Sequence, residues 1–415
     1  MSIAKKTMGL RQSFEPVATP SMNAAHPTQP LESMPRFLHT ADWQIGRLFA
    51  SFERDNAALL VEARIQVVES LSRLATEHQV DAVLVSGDVF DAQTVSERFI
   101  RRLFNALGGY SGPWLMISGN HDAALAESVW TRAQRLGVVP AHAHLLLRPE
   151  VGLFEAQGFA VLPAPLTQRH TYEDLTQWFD AADTPSGLLR IGLAHGCVEG
   201  LLDDHIDSAN PIARHRSASA RLDYLALGDW HGTRILDPRT AYSGTPEPDR
   251  FKSNEAGQAL LVEIDAPGSE PRITPLVTRQ FHWKTLTRHC QVETDVDELI
   301  TALQTIAPNE VVSLQVSGVV GLAAQQRLQQ AIGAAEARAR HLQVDLSELR
   351  LAPSDEDIAA LQADGYVAEV VAELRQTIRE QGEGAALAQD SLSLLATTLL
   401  QHRPQTATRS PEVQT

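Results

Sequence analysis

Cysteine is nearly absent from this 415-residue chain. Cys197 and Cys290 are its only two, too few for a disulfide framework and, by themselves, for a thiolate zinc site. A reducing cytoplasm is the expected compartment. Long apolar runs are missing as well. None approaches the roughly 18–20 residues that a membrane-spanning helix needs, so a soluble protein that does not engage a membrane is expected. Positive charge is also short, with 35 Lys and Arg against 51 Asp and Glu, a net charge of −16. Such a chain does not hold nucleic acid by bulk charge, and a polyanion must be met through a local patch, metal ions or a partner subunit. No repeat period suggests a solenoid. What is present, 43% hydrophobic and 21% charged residues, is ordinary globular composition. The length allows two domains of roughly 100–200 residues.

Residues 1–33 mix Ser, Thr, Pro, Gln and Met without periodicity and contain no secretory apolar stretch. They are expected to be a disordered extension, or to follow from an upstream start codon with the folded chain beginning at Met34. From Arg36 to about Asp265, short apolar runs alternate with helix-period segments. Leu60, Ala63, Val67, Leu71 and Leu74 share one helical face, and Val80 to Val85 reads as a strand. Thr94 and Glu97 predict a capping box before Val95, Phe99, Ile100, Leu103 and Phe104. Trp114 to Ile117 is the next strand. Runs at 159–163, 190–194, 223–227 and 259–264 follow without regular helices between them. Strands first interleaved with helices and then clustered predict a layered α/β sandwich.

Pro267 to Pro275, enclosing Gly268 and Ser269, reads as a boundary. Beyond it come a strand near 281–287, a helix at 295–306, alternating Val312, Leu314 and Val316, a helix near 322–338 and a strand near 342–346. Together they predict a small α+β domain, closed by Pro353. Two helices are expected at about 355–380 and 385–401. The predicted division is a main domain over 34–266, an accessory domain over 267–352, terminal helices over 353–403 and a disordered tail over 404–415.

Five short motifs place polar residues directly after apolar, strand-like runs, where α/β proteins build sites. They are Asp42-Trp43-Gln44, Gly87-Asp88-Val89-Phe90-Asp91, Gly119-Asn120-His121-Asp122, His195-Gly196 and Gly228-Asp229-Trp230-His231. Any one of them alone reads as a turn. Turn chemistry, however, does not require His121, His195 or His231, and five such motifs in order place Asp, Asn and His on one edge of a sheet. Divalent cations need that donor set, and the adjacent glycines let backbone approach closely.

In these motifs the chain resembles the calcineurin-like metallophosphoesterases and, within them, the SbcD-type DNA repair exonuclease family. The resemblance covers about residues 36–265. The segment Tyr242 to Pro248, followed by Arg250 and Phe251, is similar to that subgroup in particular, whereas the downstream part matches only in layout. The resemblance implies a four-layer α/β/β/α metallophosphoesterase sandwich with a smaller α+β capping domain as the DNA-binding accessory. It implies C-terminal helices that dock on an SbcC-like coiled-coil ATPase partner, and it is compatible with a homodimer. The implied activity is metal-dependent hydrolysis of DNA in repair, as a 3′–5′ exonuclease.

Carried over residue by residue, the family pattern puts one metal on Asp42, Gln44, Asp88 and His231. The second falls on Asp88, Asn120, His195 and Asp229, with Asp88 as the bridge. His121 would face the scissile phosphate and stabilise or protonate the leaving oxygen, with Asp122 holding its imidazole. Two ions clamp a phosphodiester and activate water for in-line attack. The family usually has His where this chain has Gln44 and Asp229. The resulting oxygen-rich donor set favours Mn²⁺ or Mg²⁺ over Zn²⁺. Two other functions compete: a phosphoesterase for nucleotides or other small phosphoesters, and a non-catalytic scaffold subunit. Among the remaining candidates, Asp91 reads as a turn or supporting residue, and His142 and His144 as strand-edge residues. Asp203, Asp204, His205 and Asp207 read as a solvated acidic loop. Arg47, Arg250 and Lys252 are either phosphate contacts or surface charge. Trp43 and Trp230 are expected to pack under the site.

Overall fold

The computed structural model describes residues 35–200, 209–252, 254–351, 365–382 and 384–401. The expected N-terminal extension, the tail over 404–415 and the acidic stretch Asp203 to Asp207 lie outside the described residues.

The chain opens with β1 (Arg36–Thr40), α1 (Arg54–Glu77), β2 (Ala82–Val85), α2 (Glu97–Ala106), β3 (Trp114–Met116), α3 (Val129–Arg135) and β4 (Ala143–Leu145). Next come β5 (Gly152–Phe154), β6 (Phe159–Ala164), β7 (Leu189–His195), β8 (Cys197–Val198), β9 (Pro211–Ile212), α4 (Arg216–Ser219) and β10 (Tyr224–Gly228). β11 (Arg234–Asp237), β12 (Thr240–Tyr242), β13 (Gln258–Glu263) and β14 (Arg272–Val277) complete this part. Two six-stranded sheets result, ordered β14-β13-β1-β2-β3-β4 and β11-β12-β10-β7-β6-β5. β1 to β4 run parallel, as do β6, β7, β10 and β12. Parallel strands are covered on both faces, which is why β2 and β10 are buried along their whole length.

The sheets stack through Phe37, Leu84 and Leu115 of the first and Phe159, Ile191, Leu193 and Tyr224 of the second. On the outer face of the first sheet lie the three helices. α1 presents Leu60, Ala63, Val67, Leu71 and Ala75 to the core at helical spacing. The outer face of the second sheet has only a thin cover, in which Phe179, Ala220 and Leu222 pack on Leu162, Ala194 and Leu225. The order is therefore helix, sheet, sheet, helix, with a sparse fourth layer.

Two local expectations are corrected. α2 starts at Glu97 behind Ser96, with no side-chain cap, so the Thr94/Glu97 capping box does not form. The expected boundary at Pro267 is a turn within the first sheet, because Arg272–Val277 pairs antiparallel with Gln258–Glu263. Pro275 falls in that edge strand, where proline is tolerated. The chain leaves the sheet only after Val277.

It then forms β15 (His282–Cys290), α5 (Glu293–Gln304), β16 (Glu310–Val320), α6 (Leu322–Glu336) and β17 (His341–Leu351). The three strands make a parallel sheet whose one face packs on both helices through Val296, Leu299, Leu303, Leu314, Leu328 and Ile332. An aromatic joint ties this part to the sandwich: Phe49 and Leu60 are buried with Val311, and Phe52, Phe251 and Trp283 pack around them. Glu247 secures the connection by accepting hydrogen bonds from the Gln280 and Phe281 N–H groups at 2.7 and 3.1 Å. Two further helices, α7 (Tyr366–Arg379) and α8 (Ala385–Gln401), pack on each other through Val371, Leu374, Ile378, Leu392 and Leu395. No helix among the described residues is long and apolar enough to cross a membrane.

Candidate metal centre

The register of the sheets fixes the site. Thr40 pairs with Val85, and His195 pairs with Gly228. The loops after β1, β2 and β3 of one sheet therefore meet those after β7 and β10 of the other at the carboxyl ends of parallel strands. The backbone bends sharply there. Asp42, Gln44, Asp88 and Asp229 all have positive φ, at 55°, 45°, 52° and 97°. Four non-glycine residues in that sparsely populated region, all at one site, is the pattern expected where function has fixed the geometry. Hydrogen bonds hold the bends, from Asp42 N–H to the Gly87 carbonyl (3.1 Å) and from Gln44 N–H to the Asp88 carbonyl (2.9 Å). Gly119 is obligatory, since a Cβ there would lie 2.2 Å from the Asp88 Oδ1.

The structure brings all the expected ligands to this edge. Asp42, Asp88 and His195 are buried, with one ligand atom of each within 4.8 Å of the others, close enough to share a metal ion. The His195 Nδ1 lies 2.8 Å from the Ser86 carbonyl, which can only accept, so this nitrogen carries the hydrogen. Its Nε2 is buried, makes no hydrogen bond, and faces Asp88 and Asp229 at 3.5 and 3.6 Å. Asn120 donates through Nδ2 to Asp229 (3.2 Å), while its Oδ1 is likewise buried without a hydrogen-bond partner. Two orphaned donors beside two carboxylates fit a cation.

The electrostatics point the same way. Burial pushes the Asp42 carboxyl up to about 6; His231 and His195 oppose the shift, and the neighbouring Asp88 and Asp229 add to it. Asp229 is raised, mainly by burial. Burial would depress His195, but Asp88, Asp229 and Asp42 outweigh it and lift the imidazole to about 9. Carboxylates crowded out of water are what a divalent ion relieves.

The other expected residues divide. His121 is half-buried, its Nδ1 2.7 Å from the Asp91 carbonyl and its Nε2 3.9 Å from Asp88. Asp122 does not hold it. That carboxylate is fully buried and instead accepts from the Gly119 N–H (2.6 Å) and the Phe90 N–H (3.1 Å), bracing the loop from below. The support of His121 is thus the Asp91 backbone. Gln44 is buried beside His231, but its Oε1 accepts from Arg47 at 2.7 Å. Trp43 is a core residue, donating to Thr40 and packing edge-on against Trp114. Lys252 lies over the Trp230 ring, 4.9 Å from its centroid. Arg47 and Arg250 both pair with Asp249, at 3.1 and 2.9 Å. Asp249 went unread in the sequence. It is buried, 3.2 Å from His231 Nδ1, and only its place beside Arg250 could have pointed to it.

The calcineurin-like phosphoesterase family model matches residues 35–255. Three curated relatives all bear the name of the SbcD component of the nuclease SbcCD. That of Rhodobacter capsulatus is 29% identical over 305 residues, covering 58% of this chain and 69% of the relative. That of Bacillus subtilis is 27% identical over 276 residues, covering 57% and 67%. That of Escherichia coli K12 is 28% identical over 275 residues, covering 55% and 64%.

Proposed function

Since the chain belongs to the calcineurin-like phosphoesterases, we propose that it is a metal-dependent DNA nuclease that works in DNA repair with a coiled-coil ATPase. The observation that carries the hydrolytic reading is the pair of orphaned donors, His195 Nε2 and Asn120 Oδ1, facing a cluster of buried carboxylates. The relatives named as nuclease components support DNA as the substrate.

In this reading Asp42, Gln44, Asp88 and His231 form one metal position, and Asp88, Asn120, His195 and Asp229 form the other. Divalent ions held there supply Lewis-acid activation of the phosphodiester and of the attacking water. The oxygen-rich donor set favours Mn²⁺, with Mg²⁺ the alternative. The chain's own residues do the rest. Asp88 sits between the two positions and also fixes the His121 N–H through its Oδ1 (2.9 Å). His121 donates through Nδ1 to the Asp91 carbonyl, which leaves Nε2 as the nitrogen that would face the leaving oxygen and give it a proton from the imidazolium form of the ring. Ser86 fixes the tautomer of His195.

The acidic chain lacks a bulk surface for DNA, so the ATPase partner supplies that surface and docks on the terminal helices. Cys197 and Cys290, both buried, suit the cytoplasm. The test is incubation of the purified protein with labelled single- and double-stranded DNA in Mn²⁺, in Mg²⁺ and with chelator. Cleavage in Mn²⁺ that stops with chelator is expected. Cleavage indifferent to chelator overturns the metal mechanism, and hydrolysis of small phosphoesters with DNA left intact overturns the substrate.

A further inference from the structure

The two metal positions are built differently. At the one formed by Asp88, Asn120, His195 and Asp229, the amide oxygen and the imidazole nitrogen are both unengaged. Asn120 donates an amide hydrogen to Asp229 and His195 donates its Nδ1–H to Ser86, which leaves the Asn120 Oδ1 and the His195 Nε2 both without a hydrogen-bond partner. Both carboxylates lie within 3.6 Å of that nitrogen.

At the other position Gln44 and His231 are already engaged. A primary amide binds a hard cation only through its oxygen, and the Gln44 oxygen accepts from the Arg47 guanidinium at 2.7 Å. Arginine can only donate, so this contact fixes which end of the amide is the oxygen. The Gln44 NH₂ group then points at His231 Nε2, 3.3 Å away, and uses the lone pair that a cation would need. On its far side, His231 Nδ1 meets the Asp249 carboxylate at 3.2 Å and the Arg250 guanidinium at 3.0 Å.

Ion pairs hold this arrangement in place. Arg47 and Arg250 both converge on the single buried carboxylate of Asp249, at 3.1 and 2.9 Å. Arg47 also reaches the Asp91 carboxylate, at 3.8 Å, so ion pairs on both sides hold its guanidinium against the Gln44 oxygen. Among the described residues, no arginine or lysine makes a hydrogen bond or ion pair to Asp88, Asn120, His195 or Asp229.

We propose that the chain holds one ion tightly, on Asp88, Asn120, His195 and Asp229. The position at Asp42 and His231 is weak, closed by a Gln44–Arg47 latch that Asp249 anchors. The inference rests on the two-position reading of the site given above. The expected gap between the two dissociation constants is about 10–100-fold, the scale on which the partners of metal ligands alter affinity.

The test is a Mn²⁺ titration of the metal-free, full-length protein, read by calorimetry and by electron paramagnetic resonance. The resonance separates an isolated ion from a spin-coupled pair. One tight equivalent with an uncoupled spectrum is expected, and coupling should appear only at higher Mn²⁺. Gln44→His, which supplies a nitrogen donor, and Arg47→Ala, which frees the Gln44 oxygen, should each narrow the gap and leave the first ion in place. Asn120→Ala and Asp229→Ala should weaken the first ion. Two ions of equal affinity in the unaltered chain, or a gap that neither Gln44→His nor Arg47→Ala narrows, overturns the proposal. A chain that binds no ion overturns it together with the metal reading. One tight ion with no cleavage of DNA leaves the asymmetry standing and overturns only the nuclease.

Discussion

His39 on the first sheet and Tyr224 on the second meet across the sandwich interior. The imidazole Nδ1 stands 2.9 Å from the phenol oxygen, with the rings edge-on at 5.7 Å. The other nitrogen, Nε2, faces the Leu227 carbonyl at 3.2 Å and the Ser86 hydroxyl at 3.0 Å. A neutral ring therefore ties together the two strand ends that carry Asp88 and Asp229.

A pH dependence of stability follows. Burial lowers the His39 pKa from 6.5 to about 3, and its bond to the Leu227 carbonyl offsets only part of that. The folded state then binds fewer protons than the unfolded state between those values, so this residue's contribution is full above about 6.5 and is lost as the pH falls toward 3. The loss approaches about 1.4 kcal/mol per pH unit within the window. Urea unfolding of the unaltered chain and of His39→Gln across that range measures it. The stability difference between them should shrink steadily on acidification, and a constant difference refutes a buried neutral imidazole.

Separating ligand from proton donor is the second prediction. Asp88→Ala removes the carboxylate between the two metal positions and should lose metal and activity together. His121→Ala should keep its metal and lose about 10²–10⁴-fold in turnover, the usual scale for a positioned acid. Metal analysis beside the nuclease assay decides. An empty His121→Ala with a loaded Asp88→Ala reverses the roles.

Asp122 should behave as a brace. Asp122→Ala orphans the Gly119 and Phe90 N–H groups, both buried, at about 1–3 kcal/mol each. A lowered denaturation midpoint is expected, with activity falling because the Asn120–His121 loop loosens. An unchanged midpoint with turnover abolished would instead give Asp122 a direct part in the chemistry.

The sandwich was legible in the sequence because its strands are parallel and buried on both faces, so runs such as Val83 to Val85 and Leu225 to Leu227 carry their own signal. The site was legible for a related reason: histidines directly after such runs have no turn to explain them. What failed depended on partners distant in sequence. Gly268 and Ser269 look like a boundary until the pairing of Arg272–Val277 with Gln258–Glu263 turns them into a hairpin connection. The support of His121 is a backbone carbonyl 30 residues away, which no side-chain pattern reports. Asp249 gains its role only when folding brings Arg47 to it.

The terminal helices give the last prediction. Helical spacing in the sequence marks Val367, Val371, Leu374 and Ile378 in one helix and Leu392, Leu395 and Leu399 in the other as stripes that must be covered. Val371, Leu374, Ile378, Leu392 and Leu395 cover one another, and the Ser393 hydroxyl reaches the Leu351 carbonyl on the small sheet. These residues are therefore spent on packing; the Leu399 side chain lies outside the described residues. Among the described residues, the large apolar side chains still open on α8 are Leu387 and Leu394, 72% and 70% exposed. Seven residues apart, they share a face and suit insertion into a coiled-coil groove. Leu387→Glu with Leu394→Glu should leave thermal unfolding of the isolated chain nearly unchanged, since exposed substitutions usually move stability by less than about 0.5 kcal/mol. The same pair should abolish co-purification with the coiled-coil ATPase. Leu392→Ala should do the opposite, costing about 2–5 kcal/mol of local packing if that helix pair unfolds cooperatively. A double-glutamate variant that still binds the ATPase with full affinity shows that this face does not dock the partner.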